Sequence, residues 1–476
     1  MMRNINIIAV VLVSVLAFGC SDWLQIEPEN DITKDQYWKS KNDVEASVVA
    51  AYVRLRKQTP TFFYWGELRA DFLADGEDID TDAQKIMSLR ILDDNKYCQW
   101  GDMYSVIQLA NTVLKYAPAV RDYDYSFTEK DLDGYMAEAY FIRSLSYFYL
   151  LRTFKDVPLV LEPSDTDDVN FYLPKSKETE ILNQIIADLE KAERGASIDF
   201  GSLAKNKGRA TKSAIQALLA DVYLWSGRFP EAIAMCDKII SRSAHALLPE
   251  KSWMEIFTEG NTSEGVFEIQ FDAELRQYNS FAGFLGLVET PQFVISGTAS
   301  EKYRAEDVRG EHATFKPDSK RIWKYSALNP NGDDNVRPLD ANWILYRYAD
   351  ILLMKAEALV QMGSYLKAQD LLNKVRERAG LGPQLLPVDR VGAEDMILNE
   401  RALEFAFEGK RWFDILRMAK RGRPELVVEI LLENAPASER PLWESKLSDE
   451  NSFYLPIHIN ELRNNTKLVQ NPYYEH

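Results

Sequence analysis

The sequence predicts a mainly α fold, a tetratricopeptide-like helical repeat scaffold carrying a long irregular insertion. Three observations carry that expectation. Apolar residues recur at helical spacing over 44–55, 100–116 and 131–154. Two segments, 214–240 and 345–378, each read as helix, Gly turn, helix, and they align when Gly227 is set against Gly363. Between those two copies, from about 245 to 342, helical periodicity fades into short β-like runs and turn signals.

The chain begins with an export signal rather than with fold. Arg3 is the only charge before Asp22, and every residue from Ile7 to Phe18 except Ser14 is apolar. A spanning helix needs about 20 apolar residues, whereas the apolar core of a secretory signal peptide needs about 7 to 15. Residues 1–19 therefore read as a signal peptide. A small residue before Cys20 suits lipoprotein processing, in which the thiol takes a diacylglycerol and acyl burial holds the protein on a bilayer. Ala17 stands where a lipoprotein site usually has Leu, and Ala17-Phe18-Gly19 would also serve an ordinary signal peptidase.

From Ser21 to about Ser40 the chain reads as an extended segment with Pro28 and the aromatics Trp23, Tyr37 and Trp38. The helical domain then spans 41–476. Its first stripe is Val44, Val48, Ala51, Tyr52 and Leu55. An irregular stretch, about 66–95, precedes a second helix with Tyr104, Ile107, Ala110 and Leu114 on one face. The helix over 131–154 is rich in aromatics (Tyr135, Tyr140, Phe141, Tyr147, Phe148, Tyr149), and Pro158 follows its end. In the repeat, Ala220 meets Ala356, Phe229 meets Tyr365, and Ala232 meets Ala368. Small residues there let two helices approach closely, and the aromatic fills the space beside the turn.

Composition narrows the function classes. A formal charge of −17 over 476 residues, with no basic cluster, argues against nucleic acid and favours neutral or cationic ligands. Besides Cys20 there are only Cys98 and Cys236; one disulfide would suit an oxidising compartment, but Cys236 on a helix as a small apolar residue favours two free thiols. The four histidines (His245, His312, His458, His476) are scattered, so histidine-based zinc sites and Ser-His-Asp chemistry lack their parts. No cofactor and no metal is expected. Asp78-x-Asp80-x-Asp82 begins like a calcium loop, but Ala83 and Leu89 stand where Gly and Glu are required, so it reads as a solvated acidic turn.

Several motifs occur in a recognisable order. Cys20-Ser21-Asp22-Trp23-Leu24 is followed by Ala137-Glu138-Ala139 with Ile142-Arg143, then Val157-Pro158-Leu159 and Gly208-Arg209-Ala210-Thr211-Lys212. Further on come Arg347-Tyr348-Ala349-Asp350, Arg376-Glu377-Arg378-Ala379-Gly380 and Glu400-Arg401-Ala402-Leu403-Glu404. Glu408-Gly409-Lys410-Arg411-Trp412-Phe413-Asp414 and Gln470-Asn471-Pro472 close the series. Together these resemble the SusD/RagB family of starch-utilisation-type outer-membrane lipoproteins. The resemblance implies a tetratricopeptide-like scaffold whose irregular insertion faces ligand. It implies non-catalytic capture of glycan or another nutrient at the cell surface, beside a SusC-like TonB-dependent transporter, with Cys20 anchored in outer-membrane lipid.

Sugar binding without catalysis needs flat aromatic faces and a few oriented polar groups. Aromatics in the irregular segments are accordingly the candidate ligand residues: Phe62-Phe63-Tyr64-Trp65, Tyr97 and Trp100, Tyr278 with Phe281 and Phe284, then Trp323 and Tyr325. On this reading Trp323→Ala weakens glycan binding and leaves the melting temperature nearly unchanged. Glu400, Glu404 and Glu408, at i, i+4 spacing, read as structural acids awaiting basic partners rather than as a catalytic cluster. Two other classes stay open from the residues alone. One is a secreted glycoside hydrolase with carboxyls about 5–5.5 Å apart, and the other is a protein-interaction scaffold.

Overall fold

A computed structural model describes residues 37–165, 172–280, 285, 290–326 and 340–475. The signal peptide, Cys20, Phe281, Phe284 and the turn at 329–332 lie outside them. The molecule is mainly helical. Ser40 opens α1 (Lys41–Arg56) through a capping box with Asp43, which satisfies backbone donors that a helix start leaves unpaired. Helix α2 (Thr59–Glu67), strand β1 (Leu73–Asp75) and α3 (Thr81–Met87) follow. Next come α4 (Gly101–Val120), α5 (Glu129–Phe154), α6 (Glu178–Gly195) and the short α7 (Leu203–Gly208). Thr128 and Asp131 form the capping box of α5. Helices α1, α4, α5 and α6 pack successively.

The repeat predicted from the Gly and Ala pattern is present. Helices α8 (Lys212–Trp225) and α9 (Phe229–Ile240) form one hairpin, α12 (Tyr348–Gln361) and α13 (Tyr365–Arg378) the other. Their turns hold Gly227 at φ +74° and Gly363 at φ +70°, a region that costs residues with a Cβ. Ala220, Ala232, Ala356 and Ala368 are fully buried. Helix α9 packs directly on α12, so the two hairpins are neighbours in space.

The insertion between them contains α10 (Glu255–Thr258), β2 (Gly265–Ile269), β3 (Phe293–Ile295), α11 (Gly297–Glu301) and β4 (Trp343–Arg347). Two antiparallel ladders tie it down. β2 pairs with β4, which returns the chain straight into α12, and β1 pairs with β3, joining the 66–95 stretch to the insertion. That stretch is therefore not wholly irregular. The chain ends in α14 (Arg390–Glu404), α15 (Arg411–Lys420), α16 (Glu425–Asn434), α17 (Arg440–Leu447) and α18 (Ile459–Asn464). No helix among the described residues is long and apolar enough to cross a membrane.

A buried ionic lattice locks the insertion to the C-terminal third. Arg347 donates to Glu264 at 2.7 Å, to both oxygens of Glu408 and to Glu404. Arg309 bonds Asp307, Glu400 and Glu404, and Lys324 bonds Glu408 at 2.7 Å. Arg378 reaches Glu264 and Glu404. Burial would raise the Glu404 carboxyl, but Arg378, Arg347 and Arg309 outweigh it and hold the group well below the usual range. The acids expected to be structural thus have basic partners. Glu408, however, sits in the turn beyond α14 rather than on its face. Cys98 and Cys236 are buried free thiols.

Candidate functional site

A cleft among the described residues has a volume of about 1690 Å³, more than the roughly 300–1,000 Å³ of a drug-sized ligand pocket. Five segments line it: 69–75 with β1, 81–93 with α3, Ser296-Gly297 after β3, the α16–α17 region, and the C-terminal Pro472-Tyr473-Tyr474. Asp80 starts α3 by accepting from the Asp82 and Ala83 amides, and this presents Thr81, Gln84 and Lys85 to the cleft. The acidic turn thus acts as a helix cap.

Polar groups in the cleft are held in place. Gln84 Nε2 donates to Asp75 at 2.8 Å. Arg90 from the 88–93 loop bonds Glu439 before α17 at 2.7 Å, and Trp443 Nε1 donates to Glu439 at 3.3 Å. Lys446 donates to the Leu89 carbonyl, and burial, then Arg90, pull its ammonium pKa below the usual value. Asp71 is fixed by Arg411 at 2.7 and 3.0 Å. Burial would raise its carboxyl, yet Arg411 and Lys302 hold it below the ordinary value. Tyr473 and Tyr474 are partly exposed, with ring centroids 4.8 Å apart and perpendicular planes. The cleft therefore offers aromatic surface, carboxylates and amides in one place, the groups that pyranose faces and hydroxyls need.

Among the described residues, none of the aromatics expected to bind ligand lines this cleft. Trp65 is 2% exposed, donates Nε1 to the Tyr97 carbonyl, and packs edge-on against Phe154. It lies on α2, not on an exposed loop. The cause is Gly66, where an added Cβ would stand 2.0 Å from the Gly409 carbonyl oxygen. Glu67 also accepts from the Gly409 and Lys410 amides. Pinned so closely to the 405–410 turn, α2 drives Phe62, Phe63 and Trp65 into the core.

Trp100, next to α4, is likewise buried against Phe154, at 5.0 Å between centroids. Trp323 is 3% exposed, with Lys316 lying 4.0 Å above its ring. Tyr325 is buried between Trp343 and Phe257. All four are core residues in this structure, Trp323 and Tyr325 because the ladders and the ionic lattice fold the insertion onto the scaffold. Tyr64 and Tyr97 are partly buried and in ring contact at 4.3 Å. The Tyr97 hydroxyl donates to Asp80, placing Tyr97 beside the α3 start that lines the cleft. Tyr278 is 56% exposed.

Sequence reasoning missed Asp75, Arg90, Glu439, Trp443 and Tyr473. The Tyr473-Tyr474 pair beside Pro472 met the criterion applied to Tyr97, an aromatic in an irregular segment. The rest carry no local signal.

Comparison with known proteins adds the family context. The profile of the SusD family matches residues 205–474, more than half of the chain. A second profile, described as starch-binding associating with outer membrane, matches residues 22–224. The chain is 28% identical to SusD-like protein P38 of Formosa agariphila, over 99% of each chain. It is 23% identical to a SusD-like protein of Bacteroides ovatus, covering 86% of this chain and 82% of that one. Among solved structures, a SusD superfamily protein from Bacteroides vulgatus superposes with a TM-score of 0.77 at 21% identity, over 92% of this chain and 100% of that one. A laminarin-binding SusD-like protein superposes with a TM-score of 0.72 at 22% identity, over 91% and 99%.

Proposed function

The chain belongs to the SusD family, and from that premise we propose that it captures an oligosaccharide at the cell surface without cleaving it and passes it to a SusC-like TonB-dependent transporter. The observation that carries this reading is the large cleft between the 69–93 wall and the α16–α17 region. Its size suits an extended ligand of several sugar units. Tyr473 supplies a partly exposed ring, and Tyr97 stands at the α3 end.

Incubation with oligosaccharides, followed by an assay for new reducing ends, separates capture from glycoside hydrolysis. Anchoring through a diacylglycerol on Cys20 belongs to the same proposal, because a tether keeps the binding protein beside its transporter. Metabolic labelling with a fatty acid tests it, and label that persists in Cys20→Ala ends the idea. Co-purification of a barrel protein from detergent-solubilised outer membrane tests the partner.

The binding claim is tested by Tyr473→Ala. The variant is expected to bind oligosaccharide roughly tenfold more weakly, in line with the cost of about 1–3 kcal/mol for losing one well-placed anchor contact, with an unchanged melting temperature. Laminarin-derived glucans are a reasonable first probe, given the similar fold of a laminarin-binding relative. Unaltered affinity would move the ligand away from this cleft.

A further inference from the structure

We infer that the cleft is built for uncharged glycan and rejects chains bearing uronate or sulfate groups. This rests on the proposal that the cleft binds glycan, and it comes from how the lining charges are spent. Every cation that lines the cleft is already engaged. Arg69 donates to the Ser452 and Phe453 carbonyls and stacks 4.3 Å from the Trp412 ring. Lys85 pairs with Asp82 at 3.5 Å. Arg90 pairs with Glu439 at 2.7 Å, and Lys446 is taken by the Leu89 carbonyl.

The lining carboxylates are differently placed. Asp75, Asp93 and Asp449 line the cleft and have no ion-pair partner among the described residues. Asp75 is exposed and held only by the Gln84 amide. Asp449 accepts from the Asn451 backbone and side chain. A carboxylate is an acceptor only, with capacity for several donors, so it suits the hydroxyls of a neutral sugar and repels an anion at short range. An anionic ligand would have to break the Arg90–Glu439 pair, which leaves Glu439 facing it, or draw Lys446 from the Leu89 carbonyl, since Arg69 is buried against the Trp412 ring. The overall charge of −17 acts in the same direction, but the local pairing is what sets the preference.

The test is a glycan array carrying neutral, uronate-containing and sulfated oligosaccharides, probed with the full-length protein in detergent and followed by calorimetry on the best binders. Neutral chains are expected to bind, with affinity that changes less than about twofold between low and high salt, since no charge on the ligand is screened. Asp75→Asn is expected to weaken the best neutral binder roughly tenfold, because hydrogen bonds to a charged acceptor are the stronger ones. Asp75→Lys is expected to admit uronate-bearing chains. Uronate or sulfate binding as tight as neutral binding, or an unaffected Asp75→Asn variant, overturns the inference while leaving glycan capture intact. Binding of no glycan at all overturns both.

Discussion

At the scale of single residues, burial reassigns Trp323. A side chain 3% exposed beneath Lys316 holds core rather than ligand. Trp323→Ala is accordingly expected to cost about 3–5 kcal/mol, the usual range for emptying a buried tryptophan site, and denaturant unfolding measures it. Arg347 is the hub of the buried lattice, and Arg347→Ala leaves Glu264, Glu404 and Glu408 short of a counter-charge. Breaking such a pair costs about 3–5 kcal/mol, so this variant is expected to unfold at markedly lower denaturant.

Two buried carboxyls give opposite pH signatures. Burial pushes Glu67 up from 4.5 to about 8, against the Lys410 and Gly409 amides. Its contribution is complete below the ordinary value and is lost as pH rises toward 8. Burial would also raise Glu357, but Arg417 and Arg421 hold it at about 2. Its contribution is present above 4.5 and is lost as pH falls toward 2. Glu67→Gln keeps an oxygen for the Gly409 and Lys410 amides without a charge to bury. It is expected to flatten the loss of melting temperature between pH 6 and about 8. An equal penalty at pH 5 and pH 8 would contradict this.

At the scale of elements, the repeat hairpins depend on Gly227 and Gly363. An added Cβ at Gly363 meets nothing within 4 Å, so Gly363→Ala isolates the conformational cost of positive φ, about 1–2 kcal/mol, readable by denaturant titration. These hairpins were legible in the sequence because their determinants are local: a Gly turn, an aromatic beside it, and Ala where helices touch. Helix α5 was legible for the same reason, with Pro158 just past its end.

Helix α2 was not. Its Phe-Phe-Tyr-Trp run reads as exposed until Gly66 is seen against Gly409, a contact between segments more than 340 positions apart. The cleft escaped for the same reason. Arg90 and Glu439 are 349 residues apart, and nothing around either one announces the pair. Residues whose role is set by a partner across the fold leave no periodicity to read.

At the scale of the whole molecule, the two ladders and the ionic lattice join the helical repeats, the insertion and the C-terminal third around one large opening. The scaffold is what this chain shares with solved SusD-like structures, and on the proposed reading the cleft wall selects the ligand. The most direct measurement is calorimetric titration of the protein with the oligosaccharides its glycan array selects, with the reaction mixture assayed for new reducing ends. Saturable binding that Tyr473→Ala weakens roughly tenfold, with no new reducing ends, is the predicted result. New reducing ends, or binding that Tyr473→Ala leaves untouched, would contradict non-catalytic capture in this cleft.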